Sequence, residues 1–134
     1  IDVNIKGVLW GIGAVLPVME AQGSGQIINL GSIGALSVVP TGAVYCASKF
    51  AVRAISDGLR QESSKIRVTC VNPGVVESEL ASTITHVETM KAMDSYRSVA
   101  LQPADIARSV RHIIESPESV DTTEITIRPT ASAN

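Results

Sequence analysis

The sequence predicts an α/β fold of the doubly wound kind, a parallel sheet with helices on its faces, and three observations lead there. Residues 26–30 and 66–71 are short β-branched runs bounded by turn residues, as in strands buried on both faces. Residues 43–63 between them carry the apolar spacing of a helix, so the order is strand, helix, strand. A third run, Thr123 to Arg128, alternates Thr, Glu, Ile, Thr, Ile and Arg after a second helical stretch. Parallel strands joined by helices imply right-handed crossovers.

Taken in order, residues 2–21 place Val3, Gly7, Ile12, Val15, Leu16 and Met19 at helical spacing, and Gln22-Gly23-Ser24-Gly25 closes the helix. Residues 26–30 form the first strand, and 31–42 an irregular connection. In the helix 43–63, Val44, Ala47, Ala51, Ile55 and Leu59 share one face, from which Arg53, Asp57, Arg60 and Glu62 mostly keep away. The second strand stops at Asn72-Pro73-Gly74. Residues 76–100 are polar with weak periodicity and read as a substrate lid, in which Met90, Met93 and Tyr96 could cover an apolar substrate. Pro103 suits the first position of a helix that Pro117 closes.

The 134 residues, 45% apolar with a formal charge of −2, allow one domain. Three parallel strands are few for a sheet with two covered faces, so residues 1–134 read as a single, incomplete domain whose further strands are expected ahead of Ile1. Scattered charge without a basic stripe argues against nucleic acid. There is no uninterrupted run of ~18 apolar residues and no signal-peptide pattern at the start, so the expected setting is the cytoplasm, without a membrane partner. Cys46 and Cys70 fit no metal-ligand spacing; reduced structural thiols are expected, with a disulfide open. His86 and His112 also lack a second ligand at metal spacing, and no metal is implied.

Open parallel sheets bind ligands beyond the carboxyl ends of their strands. Ser32 follows the first strand, Tyr45 begins the next helix, and Asn72-Pro73-Gly74 ends the second strand, so one edge collects all three. Lys49, four residues after Tyr45, lies on the same helical face. A phenol ordinarily gives up its proton near pH ~10, and a nearby ammonium favours the phenolate. Such a tyrosine beside a serine hydroxyl suits carbonyl/alcohol interconversion.

Tyr45-Cys46-Ala47-Ser48-Lys49 resembles the Y-x-x-x-K signature of the short-chain dehydrogenase/reductases, and Ser32 stands thirteen residues earlier, as is usual there. Asn4, in Val3-Asn4-Ile5-Lys6-Gly7, resembles the helix asparagine of that family, and 73–78 resembles its P-G-x-V-x-T segment, with Ser78 in place of threonine. The resemblance implies a Rossmann-like fold and an NAD(P)-dependent oxidoreductase acting on a small-molecule carbonyl or alcohol. Tyr45 would be the acid in reduction and the base in oxidation. Lys49 would favour the phenolate and bind the nicotinamide ribose. Ser32 would orient the substrate oxygen, and Asn4 would hold a relay water. Pro73, Gly74, Val76 and Ser78 would line the nicotinamide. The closing segment, Glu124 to Thr130, resembles the subset acting on hydroxy acids or short-chain alcohols, often with NADP, so NADP is slightly favoured over NAD. Homodimers or homotetramers are implied, through the helices 2–21 and 43–63.

The family's phosphate-binding T-G-x-x-x-G-x-G loop has no counterpart here, so residues 1–134 alone are expected to be inactive. Gly7-Val8-Leu9-Trp10-Gly11-Ile12-Gly13 matches G-x-x-x-G-x-G, but it lies only 38 residues before Tyr45, too close for the strands that would have to intervene. Two alternatives remain: a non-catalytic partial chain that self-associates, and a serine hydrolase built on Leu30-Gly31-Ser32-Ile33-Gly34 with His86 or His112 as base. The latter lacks the first glycine of G-x-S-x-G.

Overall fold

A computed structural model describes residues 2–76 and 100–132. A π-helical turn, Asp2–Lys6, runs into α1, Gly7–Gln22, which ends at Gly23 with a left-handed φ of 73° that glycine accepts without strain. Then come β1 (Gly25–Leu30), a short 3-10 turn (Ile33–Ala35), α2 (Ala43–Glu62), β2 (Ile66–Pro73), α3 (Pro103–Glu115) and β3 (Glu124–Ile127). The strands are parallel in the order β1-β2-β3. The expected α/β fold and parallel sheet are therefore present.

Alternation along each strand divides the core in two. On one face Ile27, Ile66 and Val68 pack with Leu59 of α2, and Ile12, Leu16 and Met19 of α1 lie against them. On the other, Val71 joins Ile106 and Ile113 of α3, flanked by Ile28, Ile125 and Ile127. Pro103 takes the first turn of α3, as its spacing predicts, and the Asp105 carboxylate accepts the Gln102 N–H at 2.8 Å.

Three details differ from the sequence reading. Asn72 and Pro73 do not end β2; they continue it, because β3 supplies partners at Thr126 and Ile127. In the first helix only one stripe meets the sheet, so Val3 and Val15 are exposed. Although polar residues interrupt it, the helical stretch Asp2–Gln22 contains an 18-residue window with a mean hydropathy of 1.2 and is long and apolar enough to cross a membrane, while its Ile12, Leu16 and Met19 lie against the sheet. Cys46 and Cys70 are both free and buried.

Residues 77–99, most of the expected lid, lie outside the described residues, and so do Met90, Met93, Tyr96 and His86. The ends of that segment are drawn together: Val76 bridges to Leu101, whose N–H donates to the Val75 carbonyl at 3.0 Å.

Candidate active site

The carboxyl ends of β1 and β2 deliver two turns to one edge. Past β1, Gly31 N–H donates to the Val71 carbonyl at 2.7 Å, which ties the start of that turn to β2. Ser32 caps the following 3-10 turn, its Oγ accepting the Gly34 N–H at 3.0 Å. A hydroxyl used as an acceptor still has its proton to donate, so capping leaves Ser32 able to hold a substrate oxygen.

Tyr45 enters from the first turn of α2. A Cβ built on Gly34 would lie 3.3 Å from Tyr45 Cε1 and 3.5 Å from Ser32 Oγ, so the phenol ring and the serine hydroxyl flank the same glycine. Tyr45 is 39% exposed, which leaves the ring open to a ligand while Ser32 lies almost wholly buried beside it. One turn further, Lys49 Nζ donates to the Leu30 carbonyl at 3.2 Å and lies 5.9 Å from the centre of the Tyr45 ring. Burial pushes the Lys49 ammonium below its ordinary value, with Cys70 acting in the opposite direction. The carbonyl fixes the amine between strand and phenol.

Asn4 reaches this edge by a different route. Its Nδ2 donates to Ser48 Oγ at 3.0 Å, and that hydroxyl donates to the Tyr45 carbonyl at 2.6 Å. The π-helical turn presents Asn4 to Ser48 in the second turn of α2, a use in keeping with the frequent placement of π geometry at functional sites. On the far side, Gly74 N–H donates to the Ile127 carbonyl at 2.7 Å, and Pro73, the last residue of β2, forms a wall with Gly74, Val75 and Val76 after it. Of the expected site residues, Ser78 lies outside the described ones.

The described residues fit a nicotinamide ribose and ring. An ammonium with one of its three donors used, an accessible phenol and a serine proton share one edge with the mostly apolar Pro73–Val76 segment. A family model, short chain dehydrogenase, matches residues 1–89. The chain belongs to the short chain dehydrogenase family.

Among this family's members, an uncharacterized oxidoreductase of Staphylococcus saprophyticus is 47% identical over 99% of the chain, and one of Listeria monocytogenes is 45% identical over 98%. The chain covers 56% and 55% of these two, so it spans about half the length of the curated relatives it matches. Among solved structures, the closed form of a serine dehydrogenase complexed with NADP+ is similar over 99% of this chain and 55% of its own, at 33% identity and a TM-score of 0.84. The serine dehydrogenase of Escherichia coli gives a TM-score of 0.79 at 29% identity, over 98% of this chain and 52% of its own.

Family membership and the Rossmann-like fold, together with the oxidoreductase names of the similar proteins, thus agree with the resemblance carried by Tyr45, Lys49 and Ser32. The hydrolase alternative loses its remaining described base. His112 is in the last turn of α3, just before Ser116 and Pro117, whose carbonyls accept from Arg67 near the start of β2. Ser32 lies past the opposite ends of the strands.

Sequence reasoning missed a polar group under the site, buried at Asn29, Cys70 and Asn72. Asn29, Cys70, Asn72 and Glu124 alternate onto the α2 face of the sheet, continuing toward its carboxyl edge the surface that is apolar at Ile66 and Val68. Asn29 Nδ2 donates to Ser56 Oγ at 2.9 Å. Burial, followed by the charge of Glu124, pushes the Cys70 thiol up, which keeps it protonated and able to donate to Asn72 Oδ1, 3.4 Å away. The signal available in the sequence was Arg53, four residues after Lys49 and thus on its face of α2.

Proposed function

We propose that the chain carries the catalytic part of an NAD(P)-dependent oxidoreductase that interconverts a small-molecule carbonyl and an alcohol. The observation that carries this reading is the flanking of Gly34 by both Tyr45 and Ser32, with Lys49 held one helical turn away. In reduction, the Ser32 hydroxyl holds the carbonyl oxygen and Tyr45 gives it a proton; in oxidation, Tyr45 takes the proton back. Lys49 favours the phenolate and reaches the nicotinamide ribose, Pro73, Gly74, Val76 and Ser78 line the ring, and Asn4 holds a relay water. The nicotinamide, when bound, supplies or accepts the hydride.

NADP is the favoured cofactor, and the serine dehydrogenase complexed with NADP+ supports that choice and a small hydroxy acid as substrate. The phosphate-binding loop belongs, on this reading, to a further half of the protein. The proposal is tested in the whole protein by Tyr45→Phe, which should lower carbonyl reduction by at least about a hundredfold. NADPH binding, followed by nucleotide fluorescence, should stay nearly constant. Normal turnover in that variant would refute the role.

Self-association is supported by a separate observation. No residue of Asp2–Gln22 is buried, and Trp10 is 70% exposed on a helix that also shows Val3, Leu9 and Val18 to solvent. An apolar face of that extent suits a second copy of the chain in a homodimer or homotetramer, alongside the exposed Val44 and Phe50 of α2.

A further inference from the structure

Asn72 is fully buried at the carboxyl end of β2, immediately before Pro73 and Gly74. Its Nδ2 donates to Glu124 Oε1 at 2.8 Å, and Glu124 in turn is held by Arg53, whose Nε lies 3.0 Å from Oε1 and 3.2 Å from Oε2. The amide is therefore oriented: its nitrogen faces the carboxylate and its oxygen faces away. That oxygen occupies the space a side chain at position 31 would need, since a Cβ on Gly31 would fall 2.4 Å from Asn72 Oδ1 and 3.0 Å from Cys70 Sγ. Gly31 is the residue before Ser32, and its N–H is bonded to the carbonyl next to Asn72 in sequence.

We infer that Arg53, Glu124 and the fully buried Asn72 form a brace that fixes the Gly31–Ser32 turn, making Asn72 and Glu124 positioning residues for the Ser32 hydroxyl. The inference rests on the proposed function for the meaning of Ser32, but the brace has its own geometry. A carboxylate held by both an arginine and an amide has little freedom, so the position of Asn72 Oδ1 is set from α2 and β3. The turn that packs on that oxygen is set with it. The same Asn72 backbone continues into the Pro73–Gly74 wall, so one residue ties the oxygen-holding side of the site to the nicotinamide side.

The test uses the whole protein, with Asn72→Ala, Gly31→Ala and the double variant. Each single change should lower kcat about tenfold or more while leaving the KM for NADPH within about twofold, because small displacements of a reacting group are costly. The double variant should be no worse than the poorer single one, since removing the amide makes room for the added Cβ. Losses that multiply would overturn the brace. A second readout is independent of turnover: the Ser32 amide resonance in a nitrogen–proton NMR spectrum should move in Asn72→Ala and, to a smaller extent, in the milder Glu124→Gln. If it stays in place in both, the brace is wrong, whatever the kinetics. If it moves but the wild-type protein reduces no carbonyl, the brace stands and the proposed function fails.

Discussion

Asn4 and Ser48, 44 residues apart, are joined at 3.0 Å, and the same Ser48 hydroxyl closes on the Tyr45 carbonyl. The contact locks the π-helical turn to the start of α2, so the asparagine expected to hold a water is anchored through its amide nitrogen. On the proposed function, its side-chain carbonyl oxygen is the atom left for that water. Asn4→Ala and Ser48→Ala should each destabilise the protein by about 0.5–1.5 kcal/mol, the usual range for one hydrogen bond. The double variant should lose less than the two single losses combined. Urea melts of the four proteins measure the coupling, and strict additivity would show that the contact contributes nothing.

Lys49 and Cys70 should give opposite alkaline trends. Burial lowers Lys49 from its ordinary 10.5, so between the lowered value and 10.5 the unfolded chain binds more protons and stability rises with pH. Burial raises Cys70 from 9.0, so its contribution is fully present below pH 9.0 and is lost as pH climbs through the raised value. Against Lys49→Met, the wild type should therefore gain relative stability toward pH 10.5. Against Cys70→Ala it should lose relative stability above pH 9.0. Chemical denaturation from pH 7 to the alkaline limit reads both slopes, and slopes of the same sign would contradict the assignment.

Ile113 is 1% exposed and joins α3 to Val71 beneath the sheet. Replacing it by alanine should cost about 2–5 kcal/mol, the range for emptying a buried aliphatic site. Thermal unfolding would show this as a marked fall in Tm. A shift within a degree would mean that α3 does not hold the sheet as described.

Trp10 tests self-association. Trp10→Glu changes an exposed position, so monomer stability should move by no more than about 0.5 kcal/mol. Sedimentation should nevertheless show the wild type associating and the variant as a monomer, because buried aromatic anchors carry much of an interface. Equal mass for both proteins would remove the α1 face from the interface.

Much of this was legible in the residues themselves. The β-branched runs at Ile27–Ile28 and Ile66–Val68 and the proline at the head of α3 each report a local preference that the folded chain keeps, whereas α2 forms as expected but buries Cys46, Ser48, Val52, Ser56 and Leu59 and leaves Val44 of the expected apolar face exposed. Because parallel strands send their following turns to one edge, the sequence alone gathers Ser32, Tyr45, Lys49 and Pro73-Gly74 there. The tertiary structure alone decided what lies across from them. Periodicity tells which face of its own element a residue occupies and is silent about the element opposite. Arg53 meets Glu124 across 71 residues, and Asn72 meets the same carboxylate across 52, because the parallel register sets Cys70 beside Glu124 and α2 covers that face. The extension of β2 through Pro73 has the same origin: β3 supplied the hydrogen-bond partners, and local preference yielded to it.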